Sequence, residues 1–383
     1  MKKLNIAIAV SDLEFGGAQR QVVELANNIN REEFNLYICS LSDYVPLSEF
    51  LNEPNRLKII KRNKRFDFSV IVRLVSFLKE KKVDLIHSFL FDATIASRIA
   101  GKIAGSLVVG SERNTNYSFK KIELLAYFLT KNLTDCIIAN SWSGAKFNSK
   151  MLRYPLEMYR VVYNGVNIQR FKPLDNRTQK EIKRKFGIAE NRKIIGMFAS
   201  FKPQKNHEFF IRAAYKIKQR YKNIVFLFVG DVLYKGMSNS YETRDKIIKL
   251  INEFDLQKET IFLGNQKNVE ELYPICDLTV LPSLYEGTPN VALESMACGV
   301  PLVATNVSDN ERIIPDGKVG FIVPLNDMEK FTDRVCKILE NDLLRQKLSK
   351  NARQWIERQF SSQKMAENMG QVYKDLLLKK NCK

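Results

Sequence analysis

Two glutamates, Glu286 and Glu294, bracket the run Gly287-Thr288-Pro289-Asn290-Val291-Ala292-Leu293. The apolar stretch Leu278-Thr279-Val280-Leu281 before them reads as a buried strand, and the stretch after them, to Ala297, as a helix. Thr288 suits the N-cap, Pro289 the first helical position, and Gly299 with Pro301 ends the helix. A strand, a tight loop and a helix N-terminus in succession direct backbone N–H groups and the positive end of the helix dipole at an anion. Glu294 lies about one turn into an otherwise uncharged helix, where a carboxylate needs a polar partner. The hydroxyls of a ribose would serve, and the alternative is a carboxylate that caps a neighbouring loop.

Other polar residues stand where strands end, the place where open α/β sheets bind ligands. Gly16 and Gly17 follow the first strand and allow backbone to approach a ligand, or simply make a turn. Their spacing is not that of a dinucleotide fingerprint. His87, one of only two histidines, ends a strand and is followed by Asp92. It is either functional or a satisfied hydrogen-bonding group; the other histidine, His207, is expected on a loop surface. Arg113 follows Gly110-Ser111-Glu112 at the end of another strand. Arginine stays protonated near neutral pH, so it cannot act as a base there; it could hold a phosphate or an acceptor, or pair with Glu112. Lys202 and Lys205 follow Ile194 to Ala199, and Asn265 follows Ile261 to Leu263.

The elements that must position these residues alternate between strands and helices along the chain, which predicts parallel sheets covered by helices. Expected strands in the first half are 6–10, 36–41, 57–60, 85–87, 107–110 and 136–139. In the second half they are 194–199, 224–229, 261–263, 278–281, 302–304 and 320–323. Two such sets fit the 383-residue length and predict two Rossmann-like domains. The turn signal Asn164-Gly165, with Pro173 beyond, marks the boundary. Met369, Val372, Tyr373, Leu376 and Leu377 fall on one face of a terminal helix.

Composition narrows the function. The net charge of +19 favours anionic partners: nucleic acid, an anionic membrane or phosphorylated substrates; the alternative is a Lys-rich proteome. One basic cluster is Lys58, Lys61, Arg62, Lys64 and Arg65, beside Phe66 and Phe68. A second is Lys120 and Lys121, after Tyr117 and Phe119 and before an apolar run from Leu124 to Leu129. Basic and aromatic residues together suit a membrane interface or single-stranded nucleic acid; without a nucleic-acid-binding signature, the membrane is favoured and no specific nucleic acid is expected. Six scattered cysteines fit a reducing compartment without a metal cage. The N-terminal apolar run is short and lacks a cleavage site, and no run reaches the roughly 20 residues of a membrane span. The expected location is the cytoplasm, peripheral to the inner face of the plasma membrane.

The spaced glutamate pair resembles the donor-site signature of the family 4 retaining glycosyltransferases. That resemblance extends along nearly the whole chain. It implies the α/β GT-B fold: two Rossmann-like domains facing a central cleft, an acceptor domain over 1–165 completed by a helix at about 366–383, and a donor domain over 166–365. By the same resemblance Glu286 faces the donor sugar or its phosphates, Glu294 holds the ribose, and Gly287, Thr288, Pro289 and Asn290 face the diphosphate. Gly16 and Gly17 match a double glycine near donor phosphate and acceptor. Lys205 matches a diphosphate-clamping lysine. The usual arginine is replaced by Ser200, leaving Lys202 as a substitute two residues on. Asn265 falls where the nucleobase is read. His87 keeps one of two family histidines, with Phe89 at the other, and Arg113 stands where several members carry a histidine.

The resulting expectation is a hexosyltransferase that moves a sugar, with retention, from a nucleotide-diphospho-sugar to a hydroxyl of a glycan or polyprenyl-diphosphate-linked saccharide in surface-polysaccharide biosynthesis. Glu286, Lys205, Arg113 and His87 form its catalytic set, and Asp92 joins the substrate-binding residues. A UDP-sugar is the expected donor substrate, with no cofactor. No Asp-x-Asp triplet occurs, so no metal is expected. The alternatives are another GT-B enzyme, such as a sugar-nucleotide epimerase, and a basic nucleic-acid-binding protein, which leaves the glutamates unexplained.

Overall fold

The computed structural model describes residues 3–63, 67–113, 121–233 and 239–381. Lys64, Arg65, Phe66, Asn114, Tyr117, Phe119, Lys120 and Cys382 lie outside the described residues. Contacts divide the chain into an N-terminal unit, Met1–Gly165 with Ser362–Lys383, and a C-terminal unit, Val166–Ser361.

The N-terminal unit is built on seven parallel strands: β1 (Leu4–Val10), β2 (Phe34–Ser40), β3 (Leu57–Ile59), β4 (Leu85–Phe89), β5 (Leu107–Glu112), β6 (Cys136–Ala139) and β7 (Tyr159–Val161). Their spatial order is β3-β2-β1-β4-β5-β6-β7, so the direction of winding reverses between β1 and β4. Period-two alternation divides each strand between two cores. Ile6, Ile8, Phe89, Val109 and Ile138 face the helices Gly17–Asn28 and Ser362–Asn381. Ala7, Ala9, Ile86 and Val108 face the helices Ser69–Glu80 and Phe91–Ala104. The terminal helix is held by burial of Met365, Met369 and Tyr373, the face its apolar spacing predicts.

The C-terminal unit has six parallel strands: β8 (Lys193–Phe198), β9 (Ile224–Val229), β10 (Thr260–Phe262), β11 (Leu278–Leu281), β12 (Leu302–Thr305) and β13 (Gly320–Val323). Their order is β10-β9-β8-β11-β12-β13, so the reversal here falls between β8 and β11. Runs such as Ile224-Val225-Phe226-Leu227-Phe228-Val229 are buried throughout, as a parallel sheet covered on both faces requires.

The strand expectations differ from the structure mainly at ends and edges. Strand β4 runs on through Phe89 and β5 through Glu112, so His87 is inside a strand rather than at its tip. The three-residue edge strand β7, Tyr159–Val161, was not anticipated. No helix among the described residues is long and apolar enough to cross a membrane.

Candidate active site

At the C-terminal ends of β8 and β11, either side of the reversal, two sequence-distant loops meet. Lys205 Nζ lies 2.6 Å from Glu286 Oε1. The side chains are 17% and 7% exposed, so this is a largely desolvated ion pair. Ser283 Oγ donates to the same carboxylate oxygen at 2.7 Å. The Glu286 backbone N–H donates to Ser308 Oγ at 3.0 Å, and Ser308 reaches that position with φ of 54°. Gln204 ties the loops together: its side-chain amide donates to Tyr285 O at 2.7 Å and its backbone carbonyl accepts from Leu284 N at 2.9 Å. Lys202 is half-buried nearby, and burial first, then the Lys205 charge, lowers its pKa against the opposing pull of Glu286.

Glu294 is buried within the helix Asn290–Ala297, and Tyr273 Oη donates to its Oε2 at 2.7 Å. The Tyr273 ring stacks on Phe198, the last residue of β8, with centroids 3.8 Å apart and planes 15° apart. The carboxylate therefore stands next to the same reversal point as the Lys205–Glu286 pair. The helix begins one residue later than its sequence predicts. Pro289, in an extended conformation, is the N-cap and makes no side-chain cap bond, so Thr288 lies outside the helix. Proline supplies the helical φ but the local turn, not a hydroxyl cap, sets the start.

Three adjoining loops form the rest of this edge. Phe201 N donates to Asp231 O at 3.2 Å, and Gly230 N to Gly264 O at 2.9 Å. Gly230 has φ of 131°, and a Cβ there would lie 2.3 Å from Ala199 O, so this close approach requires glycine. Asn265 is exposed just beyond Gly264. His207 is not on the surface. It is 2% exposed and stacks on Phe201 at 4.9 Å, and burial lowers its pKa to about 3. Its polar neighbours Lys205 and Asn206 disguise a residue that opens an apolar helix with Phe209 and Phe210.

In the N-terminal unit, Gly16 is the N-cap of the helix Gly17–Asn28, and Asp12 closes the loop by accepting from Gln19 Nε2 at 2.8 Å. Beside it, Ser11 Oγ accepts from Ala93 N at 3.3 Å across the β1/β4 reversal. Leu90 makes the turn after β4 with φ of 69°, an uncommon conformation for a branched residue. Asp92 is half-exposed and pairs with Arg62 at 2.8 Å, so its charge is already engaged at the surface. His87 is fully buried; its Nδ1 lies 2.7 Å from Tyr373 Oη. Burial, reinforced by the Arg113 charge, pushes its pKa well below the usual histidine value, so the ring is neutral. Arg113 does not pair with Glu112. Successive residues face opposite sides of the sheet: Arg113 lies 4.9 Å over the Phe89 ring, whereas Glu112 faces Tyr159, Asn148 and Arg98.

Each sheet has the strand reversal of a dinucleotide-binding half, and two such halves in one chain are the components of the GT-B fold. The comparisons agree. Residues 178–355 match the family model "Glycosyl transferases group 1", and residues 15–170 match "Glycosyltransferase Family 4". A putative glycosyltransferase of Bacillus subtilis, EpsF, is 31% identical over 83% of this chain and 82% of its own length. The UDP-Gal:alpha-D-GlcNAc-diphosphoundecaprenol alpha-1,3-galactosyltransferase of Escherichia coli is 26% identical over 99% of this chain and 100% of that protein. Among solved structures, Anabaena HepE in complex with UDP superposes with a TM-score of 0.84 at 19% identity, over 97% of this chain and 100% of that one. The chain belongs to glycosyltransferase family 4.

Sequence reasoning missed the supporting residues Tyr273, Ser283 and Ser308. Ser283 stands two residues beyond the end of β11, which was a usable signal. Tyr273 and Ser308 reach the site from loops whose proximity depends on strand order. No group of three or more His, Cys, Asp or Glu side chains is placed to hold a metal ion among the described residues.

Proposed function

We propose that this glycosyltransferase moves a hexose, with retention, from a UDP-sugar to a hydroxyl of a glycan or polyprenyl-diphosphate-linked saccharide in surface-polysaccharide synthesis. The observation that carries this reading is the desolvated Lys205–Glu286 pair at the β8/β11 reversal, with Glu294 beside it. Lys205 and Lys202 present cations to the donor diphosphate. Glu286 holds Lys205 in place and faces the sugar with its other oxygen, while Glu294 accepts from the ribose hydroxyls. Gly287, Thr288, Pro289 and Asn290 bring the start of a helix to the phosphates. Asn265 stands at the nucleobase end, and Gly16 and Gly17 bring backbone to the acceptor side.

The bond from the anomeric carbon to the β-phosphate oxygen breaks and its electron pair leaves with the diphosphate. The acceptor oxygen bonds to that carbon on the same face, and its proton passes to a β-phosphate oxygen. This route suits a chain whose neutral, buried His87 and whose Arg113 are poor bases. The protein's share is positioning and stabilisation of the departing charge. Cationic side chains supply that field, so transfer is expected to persist in excess EDTA; loss of activity restored by magnesium or manganese would contradict it.

Relatives support the acceptor class. The E. coli relative is described as acting on a diphosphoundecaprenol-linked sugar. A peripheral membrane position at the inner face of the plasma membrane follows from such an acceptor. The helix Lys121–Thr130 offers the contact surface, with Ile122, Leu125 and Leu129 exposed on one side. Within the first basic cluster, Lys61 pairs with Asp43 at 2.6 Å and Arg62 with Asp92, which offsets part of the charge these two present. A scan of ribonucleoside diphosphates by thermal shift tests the donor: UDP should stabilise the protein above the others. Equal response to every base, or to none, would refute it.

A further inference from the structure

The N-terminal unit contains buried polar groups without hydrogen-bond partners among the described residues. On β4 and β5 the register sets His87 opposite Val109, so Phe89, Ser111 and Arg113 continue on the same side of the sheet as His87. That side is the one covered by Tyr373 of the terminal helix. His87 Nε2, Ser111 Oγ and all three guanidinium nitrogens of Arg113 are buried there and make no hydrogen bond among the described residues. His87 and Arg113 flank one ring: the centroids of His87 and Phe89 are 4.5 Å apart, and the guanidinium carbon lies 4.9 Å over Phe89.

Buried polar groups are nearly always satisfied, and a buried cation without a counter-charge is more costly still. Burial lowers the Arg113 pKa to about 10. The guanidinium is therefore still charged at neutral pH, lying over the Phe89 ring with no hydrogen-bond partner among the described residues. The Tyr373 phenol, whose pKa burial raises, keeps its proton. When that hydroxyl donates to His87 Nδ1, the neutral imidazole carries its hydrogen on Nε2. The cluster then consists of donors: the guanidinium fork, an imidazole N–H and a hydroxyl. Such a set fits a tetrahedral oxyanion and gives a neutral sugar hydroxyl much less than it could use.

We propose that Arg113, His87 and Ser111 form a binding subsite for a phosphoryl group of the acceptor. This rests on the reading of the C-terminal unit as the donor site and adds to it the chemical class that the N-terminal unit recognises. The ligand is a diphosphate ester, and the guanidinium takes two of its oxygens while His87 Nε2 and Ser111 Oγ donate to others. Unlike Lys205, Arg113 has no carboxylate partner among the described residues, so the ligand itself supplies the missing charge. His87 positions this contact through its neutral tautomer and transfers no proton.

The test uses the full chain saturated with UDP and titrated calorimetrically with inorganic pyrophosphate and, separately, geranyl diphosphate. Both should bind the wild type, with geranyl diphosphate at least as tight. Arg113→Met should weaken both at least tenfold, Arg113→Lys less, while UDP affinity stays within twofold. Without any anion, Arg113→Met should melt about 2–4 °C higher than wild type, because an unpaired buried charge is gone. Equal pyrophosphate binding by wild type and Arg113→Met overturns the proposal. So does a matching loss of UDP affinity, which would move Arg113 to the donor. Binding of pyrophosphate but not geranyl diphosphate overturns the acceptor as its source. Wild type that binds UDP but neither diphosphate overturns the subsite and leaves the donor reading intact; failure to bind UDP at all overturns that reading instead.

Discussion

The two units reverse strand order at the same relative place, yet treat charge in opposite ways. At the edge of the C-terminal sheet, Lys205 is neutralised by Glu286, and Ser283 and Ser308 hold that glutamate from two further directions. At the edge of the N-terminal sheet, Arg113 is buried over Phe89 with no hydrogen bond among the described residues. The first arrangement is complete in itself, so its geometry is fixed before a ligand arrives. The second has a deficit that the proposed diphosphate ligand fills. On that proposal, similar sheets carry a preorganised site and an anion-dependent one.

The contrast can be broken most severely at Lys205. Lys205→Ala leaves the Glu286 carboxylate buried without its cation, with the Ser283 hydroxyl still donating to it. Loss of one member of a buried pair costs roughly 3–5 kcal/mol, so unfolding should shift visibly, unlike a surface lysine. Transfer should fall by about a hundredfold or more, in line with removal of one group that stabilises developing charge. Wild-type melting of this variant would show that the pair contributes no preorganisation. Because stability changes here, Lys205→Ala is a poorer probe of nucleotide affinity than a change at Glu294.

A smaller effect separates the N-terminal unit's two faces. On the face opposite Arg113, burial raises the Glu112 pKa to about 7, against hydrogen bonds from Asn148 and Tyr159 and the Arg98 charge; Tyr127 and Tyr154 complete its surroundings. The folded protein therefore binds a proton that the unfolded chain has released. Stability from the protonated group is full below about pH 4.5 and is lost as pH rises through about 7. The loss is bounded by about 3 kcal/mol. Glu112→Gln should flatten this part of the stability profile and melt above wild type at pH 8. Parallel profiles for the two proteins would remove Glu112 as the titrating group.

Tyr273→Phe should have a still smaller effect. It deletes the hydroxyl that orients Glu294 while keeping the stack on Phe198. One hydrogen bond is worth about 1 kcal/mol, so UDP affinity should drop about fivefold. No change would mean that Glu294 is positioned by other partners. The smallest expected effect is at the membrane. Replacing Ile122, Leu125 and Leu129 by serine should reduce co-sedimentation with phosphatidylglycerol liposomes more than neutralising Lys58, Lys61 and Arg62 does. The reverse order would return the anchor to the basic cluster.

Sequence alone exposed much of this contrast in residue types and little of it in partners. Apolar runs located twelve of the strands that build the two sheets, because most of these strands are buried on both faces. Lys202, Lys205, Glu286 and Arg113 stood out as charged residues at strand ends. Which of them would pair was not legible: Glu286 comes to Lys205 only because β8 and β11 are neighbours in space. Arg113 and Glu112 are adjacent in sequence but separated by the sheet, and alternation could have shown that had β5 been extended by two residues. His207 was misplaced because local polarity outweighed the aromatic residues that enclose it.

The central claim, that the C-terminal unit holds the nucleotide, is tested most directly by calorimetric titration of UDP into wild type and Glu294→Gln. Glutamine keeps the shape and can still accept from Tyr273, but it loses the charge that strengthens ribose hydrogen bonds. A charged hydrogen bond contributes about 1.5–3 kcal/mol, so the Kd should rise about tenfold to a hundredfold. An unchanged Kd in a folded Glu294→Gln protein would contradict the account.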